Sequence, residues 1–137
     1  MKAGIISIIA LLVVILISCQ SQDELEFKRY YTTGKVVYQS KCQNCHGDNG
    51  QGLSALIPPL TDSVYLQANK HELPCIIKHG LNKPITVHGK AFLGQMPATD
   101  LAPVEMAEVI TYITNSFGNK MGVTTTQMAE DDLNECE

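Results

Sequence analysis

The chain of 137 residues contains no tryptophan, three phenylalanines and five tyrosines. A domain of this size with so few large rings has little aromatic bulk for its core, and a bound cofactor would supply the missing volume. No internal repeat or low-complexity tract stands out, which argues against solenoid and repeat architectures. Cations are few: ten Lys and Arg stand against 14 Asp and Glu, for a formal charge of −4. The basic residues are scattered along the sequence, so a nucleic-acid-binding role is excluded. A mildly acidic surface suits a protein that meets charged partners without selecting one. Long apolar runs are also missing, with one exception at the start of the chain.

That exception follows Lys2. Gly4 to Ile17 is apolar except for Ser7. The run has the length of a signal-peptide core and is short for a membrane span. It ends in Leu16-Ile17-Ser18-Cys19, which resembles the lipobox of bacterial lipoproteins. The resemblance implies a signal peptide over residues 1–18, cleavage before Cys19 and a lipid on Cys19. An uncleaved signal anchor and a plain secretory signal are the alternatives. Removing Lys2 with the signal leaves a mature charge of about −5. Such an anchor buries enough methylenes for stable membrane attachment.

Residues 19–31 are polar, without an apolar period, and read as a flexible tether. The competing reading is an extension packed on the domain through Phe27 and Tyr30. Gly34, Tyr38, Cys42 and Cys45 then recur on one helix face, with Thr32 or Thr33 as cap and a stop after His46, where the glycine-rich stretch Gly47 to Gly52 begins. Short helices are expected from Ser63 to Ala68 and from Leu73 to His79, the latter bounded by Pro74 and Gly80. Ile85-Thr86-Val87 and Ala91-Phe92-Leu93 flank His88-Gly89-Lys90 as a small hairpin. Pro103 opens the clearest helix, with Met106, Val109, Ile110, Ile113 and Phe117 as its stripe and Gly118 as its end. Thr124 and Gln127 match a capping box for a last helix, on which Ala129, Leu133 and Cys136 share a face.

The chemistry centres on Cys42-Gln43-Asn44-Cys45-His46. Two thiols three residues apart on a helix project to one side and can bond to two vinyl groups along a porphyrin edge. The adjacent His46 then reaches the iron. Cys-x-x-Cys-His therefore reads as a c-type haem attachment motif. A thioredoxin-type pair would follow a strand in a βαβ unit, which is not seen here. A zinc site would want further ligands at matching spacing, and none appears. A disulfide between Cys42 and Cys45 would strain a helix. Met96, in a loop stiffened by Pro97, is the candidate for the second axial ligand, since a thioether stabilises ferrous iron. His71, His79 and His88 are rivals for that place, whereas Met106, Met121 and Met128 read as core or tail residues.

From Thr32 to Phe117 the chain resembles class I monohaem cytochromes c. Gly34 and Tyr38 stand eight and four residues before Cys42, as a Gly and an aromatic do in that family. Pro58-Pro59-Leu60 resembles its Pro-x-Leu element, and Met96-Pro97 its axial Met region. Val109 and Tyr112 match the last-helix positions that cross the first helix at its Gly. The resemblance implies an all-α cytochrome c fold over residues 32–118: short helices around one covalently attached haem c, with a small hairpin before the axial Met. It makes Cys42, Cys45, His46, Pro58, Leu60 and Met96 the haem-binding residues. His46 and Met96 would be the iron ligands, and the Pro58 carbonyl would accept a hydrogen bond from His46. The absence of Trp removes a common propionate partner, leaving Lys78, Lys83 and Lys90 as candidates by region.

With Cys19 assigned to lipid and Cys42 and Cys45 to haem, Cys75 and Cys136 remain. An even remainder in an exported protein suggests a disulfide that docks a C-terminal extension, residues 119–137, on the domain; two free thiols are the alternative. The expected function is that of a monomeric, membrane-tethered one-electron carrier and not an enzyme. Its partners would be respiratory electron donors and acceptors, and it would face the periplasm or cell exterior. A haem subunit permanently docked to one oxidoreductase, a haem-based sensor or peroxidase, and a non-haem thiol protein are the alternatives.

Overall fold

The computed structural model describes residues 22–136. The expected signal peptide over residues 1–18 and the expected lipid site at Cys19 lie outside the described residues. The elements are α1 (Gln22–Lys41), α2 (Gln43–His46), α3 (Ser63–Ala68), a 3₁₀ turn (Lys70–Glu72), α4 (Leu73–His79), β1 (Ile85–Val87), β2 (Lys90–Phe92), α5 (Pro103–Ile113) and α6 (Thr126–Asn134). The architecture is all-α, short helices with one antiparallel hairpin pairing Ile85 with Phe92 and Val87 with Lys90, as the resemblance implied. No helix among the described residues is long and apolar enough to cross a membrane.

The expected tether gives way to helix. α1 begins at Gln22, where Asp23 and Glu24 complement the positive helix terminus. What holds these turns is tertiary packing that no apolar period in residues 19–31 announces. Tyr30 is buried and its hydroxyl lies 2.8 Å from Thr126 Oγ1 of α6. Phe27 stacks on Tyr31, and Tyr31 packs on Tyr112 of α5. Thr32 and Thr33 are therefore not caps but interior residues, with hydroxyls bonded back to the carbonyls of Lys28 and Arg29.

α1 crosses α5 at Gly34. A β-carbon there would collide with the Glu108 carbonyl oxygen and crowd Tyr112 Cβ. The partners at the crossing are thus Glu108 and Tyr112, while Val109 faces the crevice described below. Around the crossing, Tyr38, Tyr112 and Phe117 form a cluster with ring centroids 5.3–5.7 Å apart. Such pairs add to the stabilisation from burial alone.

α5 is the central helix. Pro103 suits its first turn, and Glu105 Oε2 accepts a hydrogen bond from the Ala102 amide at 2.9 Å. Met106, Ala107, Ile110 and Thr111 are fully buried, because α1, α4 and α6 pack on different sides of it. The regular helix ends at Ile113, and the expected last turn to Gly118 is replaced by tight turns in which Phe117 takes a positive φ. The last helix starts two residues later than the expected cap. Thr125 caps it, accepting from the Met128 amide, whereas the Thr124 amide is drawn into the core by Thr111 Oγ1.

The structure brings Cys75 of α4 and Cys136 together as a disulfide with Cα atoms 5.5 Å apart, fastening the end of the extension to the domain. The bond joins positions 61 residues apart. For that closed loop the chain-entropy account gives about 4 kcal/mol.

Two substitutions test this framework. Gly34→Ala should lower the free energy of unfolding by about 1–3 kcal/mol in equilibrium denaturation, because two backbones must separate. Cys136→Ser should destabilise by up to about 4 kcal/mol, and reduction of the native chain should add the mass of two hydrogens.

Candidate cofactor crevice

The site starts where α1 stops. Cys42 leaves helical continuity at φ −118°, yet the hydrogen bonds carry on: Cys42 N donates to Tyr38 O and His46 N to Cys42 O, both at 2.9 Å. The expected single helix through His46 is therefore α1, a turn at Cys42, and the one-turn α2. Tyr38 locks this arrangement by donating its hydroxyl to the Gly47 carbonyl at 2.6 Å. Burial, more than the neighbouring charges of Cys42, Tyr112 and Asp48, pushes the Tyr38 phenol well above its ordinary range, so it stays a donor.

Cys42 is half-buried and Cys45 exposed, and both are unpaired thiols. Burial, aided by the nearby Cys45, pushes the Cys42 thiol up to about 11. His46 is buried, and its Nδ1 lies 3.2 Å from the Pro58 carbonyl oxygen. A carbonyl only accepts, so Nδ1 carries the proton and Nε2 keeps its lone pair. Burial lowers the imidazole pKa, with the Pro58 bond working against it, and the ring is held neutral.

Cys42, Cys45, His46, Pro58, Leu60 and Met96 all line one crevice of about 950 Å³, counting its open mouth. Leu66, Leu73, Ile77, Val87, Val109 and Ile113 complete apolar walls drawn from α3, α4, β1 and α5. The α3 wall is set by buried Asp62, whose carboxylate accepts from the amides of Val64 and Tyr65.

Met96 is placed by backbone pairing. Its amide donates to Leu81 O at 2.8 Å, and its carbonyl accepts from Leu81 N at 2.9 Å. Gly80, at φ +75°, makes that approach possible; a β-carbon there would collide with the Met96 carbonyl oxygen.

His71 and His88 do not line the crevice and turn instead to carboxylates, His71 to Asp132 at 2.9 Å and His88 to Asp62 at 3.4 Å. His79 ends α4 beside Gly80. Among the suggested lysines, Lys83 lines a second cavity that adjoins the crevice and shares His46 and Met96 with it. Lys90 reaches the Ser54 carbonyl at 3.3 Å, and Lys78 lines neither part.

Sequence reasoning missed Lys41, Tyr65 and Thr99, which also line the crevice, and Asn119, which donates Nδ2 to the carbonyls of Leu60 and Ile113 at 2.7 and 2.9 Å. Lys41 stood next to Cys42 and was within reach of a helix-face argument. Asn119 had no signal, since its partners are 59 and 6 residues away.

The residues fit a haem. Two thiols sit side by side, a neutral imidazole has one nitrogen free, a thioether shares the crevice, and the walls are apolar. Among the described residues no three His, Cys, Asp or Glu side chains gather as a metal-holding group, so the ligand set of a structural zinc site is not assembled there.

A family model described as cytochrome c matches residues 31–117. Two proteins called cytochrome c-552, both from Thermus thermophilus, are 30% identical over 91 residues; the match covers 63% of this chain and 69% and 61% of theirs. The cytochrome c subunit of a quinone alcohol dehydrogenase from Gluconacetobacter polyoxogenes is 30% identical over 96 residues, 68% of this chain but 20% of that subunit.

Gly80→Ala should strain the Leu81–Met96 pairing. The expected result is a loss of about 1–3 kcal/mol of stability in denaturant titration, with faster proteolysis of the segment around Met96.

Proposed function

The chain belongs to the cytochrome c family, and on that premise we propose that it is a membrane-tethered one-electron carrier with His46 and Met96 as axial ligands. One covalently attached haem c and a role in electron transfer follow from the family itself. When bound, the haem supplies an iron centre that gains and loses one electron. The chain's own residues do the rest. Cys42 and Cys45 would hold the group through thioether bonds. His46 offers Nε2, with the Pro58 carbonyl fixing its tautomer and orientation. Met96 offers its sulfur from a segment held by Leu81. The apolar walls keep water from the iron, which favours the less charged ferrous state.

The observation that carries this reading is that His46 and Met96 line the same apolar crevice. His46 and Met96 together would leave the iron no coordination place for a substrate, so the chain is read as a carrier and not a catalyst. Cys19 supports attachment to a bacterial membrane after export, on the face exposed to the periplasm or the exterior.

The mouth of the crevice favours a docking role. Leu53, Leu56 and Leu93 are 55%, 56% and 69% exposed. The Gly94 amide bonds to the Leu56 carbonyl, so the two loops adjoin, and Leu56, Gly94 and Cys45 border the same opening. Exposed leucines beside a cofactor edge suit a partner that packs against it. The likeness to a dehydrogenase cytochrome subunit supports a second reading, in which the chain stays docked to a respiratory oxidoreductase. Co-purification of a stable complex from native membranes would favour that reading, and free exchange among partners the first.

In Met96→Ala the weak far-red charge-transfer band of the ferric protein should vanish, and the ferrous form should then bind carbon monoxide. An unchanged spectrum would remove Met96 as a ligand and with it the closed-site reading.

A further inference from the structure

α1 carries a face used by neither the core nor the crevice. Its buried residues, Tyr30, Gly34 and Tyr38, look inward. At 3.6 residues per turn, Leu25, Arg29, Thr32 and Val36 fall on the opposite side, with Lys28 and Lys35 on its flank. All six are exposed, Leu25 at 49% and Val36 at 63%. The stripe with its flank holds three cations and one carboxylate, Glu24, in a chain whose net charge is −4. Glu24 approaches Lys28 to 2.8 Å, an exposed pair of the weak kind. The Arg29 guanidinium lies 5.1 Å over the Tyr30 ring, and Asp23 and Glu26 lie off the stripe.

The position of this stripe along the chain suggests what covers it. Only Gln20 and Ser21 separate Cys19 from the start of α1. A lipid on Cys19 therefore brings the helix itself to the headgroups, with no long linker to carry the domain away. There the excess positive charge of the stripe meets anionic headgroups, with about fivefold in binding for each cation that is not already paired, and Leu25 and Val36 reach the acyl boundary.

We propose that the outward stripe of α1 lies on the anionic membrane surface to which Cys19 is anchored. This rests on the anchoring reading given above. The domain is then held in one orientation. Its crevice sits beyond the far end of a 20-residue helix, about 30 Å along the surface from the anchor. Partners would approach from the side, within the plane of the membrane.

The test uses the purified full-length, lipid-processed holoprotein on protein-free vesicles of phosphatidylcholine alone or with phosphatidylglycerol, and on native membranes. An amine-acetylating reagent followed by mass spectrometry reads each lysine. Lys28 and Lys35 should label several-fold more slowly on the phosphatidylglycerol vesicles than on the neutral ones. Lys78 and Lys120 should not change, and raised salt should abolish the difference. The double variant Leu25→Glu with Val36→Glu, at two exposed positions, should restore full labelling while the protein stays attached.

Equal labelling on both vesicle types with the protein attached would overturn the docking face and leave the anchoring reading intact. Protection seen only in native membranes would assign the stripe to an acidic protein and also overturn it. If the mass of the Cys19 peptide shows no lipid, the anchoring reading fails. Salt-sensitive protection on anionic vesicles would then still support the docking face, and its absence would remove both.

Discussion

Between α1 and α5 there is no room for a methyl group, and that contact sets much of the rest of the molecule. Gly34 lets the Glu108 carbonyl rest against the backbone of α1, which brings Tyr38 and Tyr112 into one aromatic cluster. Tyr38 in turn holds the Gly47 carbonyl just after the Cys-x-x-Cys-His segment. Val109 and Ile113, on another side of the same central helix, form part of the crevice wall. The helix crossing and the cofactor site are therefore one packing unit. A change in interhelical distance reaches His46 through a single tyrosine.

The crevice is made by long-range backbone contacts more than by side-chain chemistry. Pro58 reaches His46 across 12 residues, and Met96 is fixed by pairing with Leu81. Asn119 ties Leu60 to the end of α5. The loops that carry Pro58 and Met96 have little regular structure, so their stiffness comes from prolines, positive-φ glycines and these few cross-links. A haem held as proposed by Cys42 and Cys45 would fill the space that the scarcity of large rings leaves open.

Charge follows the same division between sequence and space. Along the sequence the cations look scattered. On α1, Arg29 comes to the outward side and Lys28 and Lys35 to its flank, because residues seven apart, such as Lys28 and Lys35, return to one side of a helix. The helix over residues 22–31 gives that stripe its meaning: were Cys19 to carry the proposed lipid, orientation and not only proximity would become available to the domain.

Local chemistry was legible in the sequence wherever residues close in the chain act together. Cys42, Cys45 and His46, the Pro58-Pro59-Leu60 element, the Met96-Pro97 pair, and the short helices Ser63–Ala68 and Leu73–His79 with their flanking signals needed no tertiary knowledge. Where distant segments compete for the same backbone, local signals failed. Gln22–Tyr31 is helical because Tyr30 meets Thr126, 96 residues away. Thr125 displaces Thr124 as the cap because Thr111 takes the Thr124 amide. By itself, the sequence determined which atoms can hold a haem and which cysteines remain to pair. Only the tertiary structure decided where α1 begins, which residues wall the crevice and which face of the domain is left outward. Those depend on burial and contacts between segments that no local period encodes.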